Sequence, residues 1–160
     1  MQPVTIICVG RLKDAFFEEA SAEYLKRLKP YAKMNTVEIK QAPLSDAPSQ
    51  TEIDRALEAE GAEIIRKIPP NSTGIAMCIE GKQFSSEDFS RVFTEAALSG
   101  RAGVTFVIGG SCGLSERVKR MADIKMSMSK MTFPHRLARI MLLEQIYRAF
   151  KIASGEKYHK

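Results

Sequence analysis

Val104-Thr105-Phe106-Val107-Ile108-Gly109-Gly110-Ser111-Cys112-Gly113 is the stretch that decides how this chain folds. Its first half is apolar or β-branched without alternation, the pattern of a strand covered on both faces. Glycines follow at once. They allow a sharp turn and let a ligand approach bare backbone. In open α/β sheets, ligands bind beyond the carboxyl ends of strands, where helix N-termini offer free N–H groups. The loop alone admits two readings, a ligand cradle or a plain strand-to-helix turn, because short glycine clusters are weak motifs. It is not G-x-G-x-x-G, it follows a late strand, and the chain has no Walker A lysine motif. Those features disfavour an NAD or nucleotide enzyme of the usual dinucleotide-binding kind.

Outward from this stretch, strands and helices alternate. Strands are expected at Val4–Val9, Asn35–Ile39, Gly74–Ile79, Val104–Ile108 and Ile124–Met128. Helices are expected at Ala15–Leu28, Glu52–Ile68, Ser86–Ser99, Ser115–Met121 and from Pro134 to about Ser154. Phe16, Ala20, Tyr24 and Leu28 recur every fourth residue, and Pro30 stops their helix. Gln41–Thr51, with Pro43 and Pro48, reads as a loose loop. Apolar strands joined by helices imply a largely parallel sheet with helices on both faces. At 160 residues the chain is expected to be one domain, residues 1–160.

Hydrophobic content of 44% and charged content of 27% suit a globular protein. No apolar run approaches a membrane span, and the start lacks the pattern of a signal peptide. Cys8, Cys78 and Cys112 are widely spaced, fit no zinc pattern and read as reduced, buried thiols, so a cytoplasmic location and no metal are expected. The charge is uneven. Residues 117–160 carry 11 Lys/Arg against 3 Asp/Glu, a net of +8, while residues 1–116 carry 13 against 16, a net of −3. A basic end beside a glycine-lined pocket suggests a small-molecule site facing a polyanion.

Met121, Met126, Met128 and Met131 fall within eleven residues. They read either as adaptable core filler or as a polarizable wall for a flat ring, completed by the Ser129 and Thr132 hydroxyls. The last helix carries Ile140, Leu143, Ile146, Tyr147 and Phe150 along one stripe, widened by Leu137 and Met141. That face is broad enough to cover the sheet and meet a second subunit. Arg136, Arg139, Arg148 and Lys151 are placed on the remaining surface. Arg148 suits either an i,i+4 pair with Glu144 or contact with phosphate. His135 reads as a capping or packing residue. The terminal Tyr158-His159-Lys160 would ordinarily be an idle tail, yet it follows a well-packed helix.

The runs IGGSCGLSERV and SMSKMTFPHRLARIMLLEQIYRAFKI and the terminal YHK resemble the small SPOUT-class methyltransferases of large-subunit ribosomal RNA. More narrowly, they are similar to the ribosomal large subunit methyltransferase H group, which methylates N3 of a pseudouridine. VGRLKD, AEYLKRLKPY and the strand before Gly81-Lys82 agree, so the likeness spans essentially the whole chain. Cys112 occupies a variable loop position, and Met77 stands where a branched aliphatic residue is more typical.

The resemblance implies a single-domain α/β-knot fold whose C-terminal segment threads a loop as a trefoil knot. It implies S-adenosyl-L-methionine as donor and a homodimer whose subunits complete each other's sites, acting on 23S ribosomal RNA in a ribosome or large subunit. The cofactor positions carried over are Met77, Gly109, Met128, Ser129, Lys130, Met131, Thr132 and Phe133. His159, Arg148 and Tyr158 are the candidates for work at the substrate. An imide N3–H is weakly acidic, so a histidine base and a cationic field suit its removal. Expected sources of that field are the donor's sulfonium, Lys130 and Arg148. The rival reading is a non-enzymatic RNA-binding or ribosome-associated module, which would explain the basic end but not the glycine loop.

Overall fold

The computed structural model describes residues 1–159, and among them five strands alternate with five helices. In chain order these are β1 (Gln2–Val9), α1 (Ala15–Leu28), β2 (Ala32–Ile39), α2 (Gln50–Lys67) and β3 (Ser72–Gln83). There follow α3 (Ser86–Leu98), β4 (Gly103–Ile108), α4 (Glu116–Met121), β5 (Ile124–Ser127) and α5 (His135–Ala153). The sheet order is β2-β1-β4-β3-β5, and every pairing is parallel.

Alternation along β1 and β4 sorts the two cores. Val4, Ile6 and Cys8 with Val104, Phe106 and Ile108 face α1, α3 and α5, where they meet Leu28, Phe89, Phe93, Leu142, Leu143 and Ile146. Ile7, Val9 and Val107 face the other way, onto Ile64 of α2 and Val118 of α4. Phe106, wholly buried, is flanked by the rings of Phe89 and Phe93 at 5.7 and 5.9 Å. Each such side chain contributes roughly 1.5–3 kcal/mol by leaving water. Serine hydroxyls cap three of the helices: Ser49, Ser85 and Ser115 accept from the backbone N–H of Glu52, Asp88 and Val118.

β2 and β3 run furthest beyond their sequence-based limits. β2 begins at Ala32, because Gln2 of β1 pairs with it and the ladder continues unbroken to Ile39. β3 extends to Gln83, well past Ile79. It pairs with β5 at Ile75–Met77, slips register, and pairs again at Lys82–Gln83. Gly81 sits in that slip. A Cβ there would lie 2.5 Å from the Met126 carbonyl carbon, so no side chain fits where the two backbones cross. The loop before α2 is tied down: Glu60 accepts from the N–H of Ala42 at 3.0 Å, and Glu52 accepts from the N–H and hydroxyl of Ser45.

Three placements correct the sequence reading. Arg139 is buried, not on the surface, because its stem packs with the apolar stripe of α5 and its guanidinium reaches Glu38 at 3.5 Å. Cys8 alone of the three cysteines is buried, and burial raises its thiol pKa to about 11. Cys78 is half-buried and Cys112 exposed, since the glycine loop stands out past the end of β4. The third correction is Met121, 54% exposed at the end of α4 and remote from the wall that the other clustered methionines form.

Candidate donor site and the C-terminal cluster

The glycine loop folds as a tight turn at the edge of a cavity. Gly113 donates its N–H to the carbonyl of Gly110 at 3.1 Å, and the two residues form an isolated antiparallel bridge. That turn brings the chain back against its own start. A Cβ on Gly109 would lie 2.3 Å from the Gly113 oxygen, so glycine is required there by the turn itself. Gln41 closes one side, donating to the Ser111 hydroxyl at 3.2 Å. The second loop, after β5, is shaped by serines: Ser127 donates to the Ser129 carbonyl at 2.8 Å, and the Ser129 hydroxyl accepts from Met131 N–H at 3.1 Å. Ser129 therefore builds the loop's turn.

Between these loops lies a cavity of about 790 Å³, in the size range of cofactor sites. Of the eight residues singled out as cofactor positions, Met77, Gly109, Met128, Ser129, Met131, Thr132 and Phe133 line it. Lys130 does not. Its side chain is exposed and points away from the cavity that Ser129, Met131 and Thr132 border, and Met131 itself is 72% exposed at the rim. Met126 joins the wall from the core, only 5% exposed.

Sequence reasoning missed several lining residues. Cys78 and Glu80 enter because β3 continues past the end of β4. Lys119 of α4 enters on the same side, its ammonium 2.5 Å from Glu80. Burial opposes that charge, but Glu80 and Glu116 outweigh it and hold the pKa above its ordinary value. His135 is the largest surprise. It opens α5 and lines the cavity, where burial first and the neighbouring Arg136 second push its pKa down. The signal available was its place one residue after Pro134, at a helix N-terminus facing the loops.

The three residues picked for work at the substrate are brought together elsewhere. The Arg148 guanidinium stands over the Tyr158 ring at 4.8 Å and lies 3.4 Å from Nδ1 of His159. Glu144 anchors the group, accepting from Arg148 Nε and Nη2 at 3.1 and 2.7 Å and from the Tyr158 hydroxyl at 3.1 Å. Tyr158 also packs edge-on against Tyr147, centroids 4.9 Å apart. The tail is thus docked on α5 as far as His159; Lys160 lies outside the described residues. None of Arg148, Tyr158 and His159 lines the cavity of its own chain. Glu144 lines a smaller hollow of about 380 Å³ that shares Met126, Ser127 and Met128 with the larger one.

A further correction concerns the cations of α5. Arg136 pairs with Asp14, Arg139 with Glu38, Arg148 with Glu144, and Lys151 with Glu156 and the Tyr31 hydroxyl. Arg148 thus makes the i,i+4 pair that its spacing allowed. Among the described residues no group of three His, Cys, Asp or Glu side chains is placed to hold a metal ion, and no helix is long and apolar enough to cross a membrane.

A family model described as Predicted SPOUT methyltransferase matches residues 2–159. The chain belongs to the SPOUT methyltransferase family. Among its relatives, a protein of Carboxydothermus hydrogenoformans named Ribosomal RNA large subunit methyltransferase H is 46% identical over 157 residues, 98% of this chain and 99% of that one. A protein of Clostridium botulinum (strain Kyoto) with the same name is 47% identical over the same shares. A solved structure, that of a probable methylase family protein from Haemophilus influenzae, superposes with a TM-score of 0.52 over 98% of this chain and 70% of that one, at 12% identity. That likeness shows a shared fold. This SPOUT chain is therefore a methyltransferase, which requires a methyl donor, and it has one cavity built by the two loops that the sequence singled out.

Proposed function

We propose that this chain transfers a methyl group from S-adenosyl-L-methionine to N3 of a pseudouridine in 23S ribosomal RNA. The observation that carries this reading is the cavity between the glycine loop and the Met128–Phe133 loop. Its size suits the donor, and seven of the eight expected cofactor residues line it. The names of the 46–47% identical relatives supply the ribosomal RNA substrate.

The donor fits the residues present. Met77, Met126, Met128 and Met131 offer a polarizable wall for a purine. The Gly109–Gly113 turn leaves backbone bare of side chains beside it. Bound S-adenosylmethionine supplies an electrophilic methyl on its sulfonium. The protein's part is to align that methyl with N3, which can provide much of the rate, and to remove one proton. In this reading His159 accepts the N3 proton, Arg148 stabilises the imide anion, and Tyr158 stacks on the base.

Because none of these three lines the cavity of its own chain, we propose a homodimer in which one subunit's tail meets the other's cavity. The dimer reading draws support from exposed apolar side chains on α1 and α5, Phe16 at 63% and Leu137 at 36%. The trefoil knot and the cytoplasmic location belong to the same reading, as does one domain spanning residues 1–160.

The decisive experiment is a methylation assay on ribosomes from a strain lacking this gene, with the product mapped by mass spectrometry. A single methyl on a 23S pseudouridine is the expected result. A methyl at another base would overturn the acceptor assignment. Saturable donor binding without transfer to any ribosomal particle would overturn the ribosomal substrate.

A further inference from the structure

Glu87, in the first turn of α3, is 72 positions from His159 in the chain, yet its Oε1 lies 2.7 Å from His159 Nε2. On the other side of the same ring, Nδ1 faces Arg148 Nη1 at 3.4 Å. A guanidinium has no lone pair to offer, so it can only donate. Nδ1 is therefore the acceptor nitrogen, and the ring proton belongs on Nε2, where the carboxylate takes it. Both contacts together select one tautomer and one ring orientation. We propose that Glu87 is the positioning residue for His159, holding Nε2–H so that the Nδ1 lone pair is presented beside the Arg148 guanidinium.

That arrangement matches an imide edge. An imide presents an N–H flanked by carbonyl oxygens; on its arrival the Nη1···Nδ1 contact is exchanged, Nη1 donating to a carbonyl and Nδ1 accepting the N–H. The N3 proton passes to Nδ1, the imide charge shared with the carbonyl oxygens is held by Arg148, and the N3 electron pair forms the new bond to the methyl as the donor's methyl–sulfur bond breaks and its pair returns to a neutral thioether. A carboxylate behind a histidine fixes the tautomer and stabilises the imidazolium that forms. Glu87 is suited to remain charged. It lies at a helix N-terminus, and its own backbone N–H, His159 and Ser85 hold its pKa below the usual carboxylate value. Among the described residues, the charged groups that contact His159 are Glu87 from α3 and Arg148 from α5, with Tyr158 beside it on the tail and Glu144 behind Arg148. Glu144 already neutralises Arg148, which leaves Glu87 as the carboxylate free to act on the imidazole.

The inference rests on His159 being the base, so the test separates the two ideas. Glu87→Gln keeps the shape and removes the charge at an exposed position, so folding is unaffected. With ribosomes as substrate, kcat is expected to fall at least about tenfold, with donor affinity unchanged. Glu87→Asp should restore part of the loss. In a His159→Ala background, Glu87→Gln should add nothing. The chain has two histidines, so nitrogen-15 NMR of the unbound protein reads the His159 tautomer independently of activity: Nε2–H in the parent, a mixture in Glu87→Gln. An unchanged tautomer and an unchanged kcat would overturn the Glu87 role while leaving His159 as base. Full activity of His159→Ala would overturn the base assignment itself.

Discussion

The two candidate halves of this active site are made from different materials. The donor cavity is built from backbone turns and apolar side chains, with glycines at 109, 110 and 113 and methionines at 77, 126, 128 and 131. The C-terminal cluster is built almost wholly from charged and aromatic side chains: Glu87, Glu144, Arg148, Tyr158 and His159. The first depends on what is missing, a Cβ at Gly109 above all. The second depends on which polar atoms meet. A cavity of this kind holds a ligand by shape, whereas a cluster of this kind positions protons and charge, so the two should fail differently.

The largest effect expected is from deleting Tyr158–Lys160. Methyl transfer to ribosomes should fall by orders of magnitude, while S-adenosylmethionine binding by calorimetry stays within a factor of two or so, since the two loops that bound the cavity contain no tail residue and the partner's tail is assigned to the acceptor. Loss of donor binding in that variant would erase the distinction between the halves. Next is Gly109→Ala. The added carbon must push against the Gly113 carbonyl, so the cradle opens even with a methyl as small as alanine's. A cost of ~3 kcal/mol would weaken donor affinity roughly a hundredfold, seen as a raised donor KM. At saturating donor much of kcat should survive, because the cluster is untouched. A collapse of kcat with unchanged KM would place Gly109 on the wrong side of the comparison.

The smallest effect concerns His135, the one imidazole on the donor side. Burial disfavours its charged form, so its NMR titration midpoint should lie below the 6.5 of a free histidine. The sign for stability follows from linkage. Above pH 6.5 both folded and unfolded states hold it neutral; as pH falls toward the folded midpoint, only the unfolded state takes the proton. Folding stability should therefore decline across that window, and His135→Asn should flatten the decline in denaturant melts at pH 5 to 7. A midpoint above 6.5 would indicate a carboxylate partner and overturn the burial argument.

The donor half was largely legible because its signals are local. Strand, glycine turn and small-residue loop occur as contiguous runs, and seven of the eight carried-over positions line one cavity. Lys130 did not, because contiguity says nothing about which members of a loop turn outward. Glu80 and Lys119 were invisible for the opposite reason: they arrive from β3 and α4 only once the sheet is assembled. Arg139 was misplaced because helical periodicity counts an arginine as surface, and its burial depends on Glu38 of β2.

What the sequence settled by itself was the alternation of strands and helices, the two-faced burial of β1 and β4, and the loops that bound the donor cavity. Each follows from near neighbours in the chain: apolar runs, caps and glycines act within a few residues of themselves. Tertiary structure alone decided the register slip at Gly81, the pairing of Arg136 with Asp14 and of Arg139 with Glu38, and the meeting of Glu87 with His159. Those are contacts between residues far apart in sequence. Hydrogen-bond and ion-pair energies fall off within a few ångströms, so they are fixed only when the packed sheet has brought the partners into place.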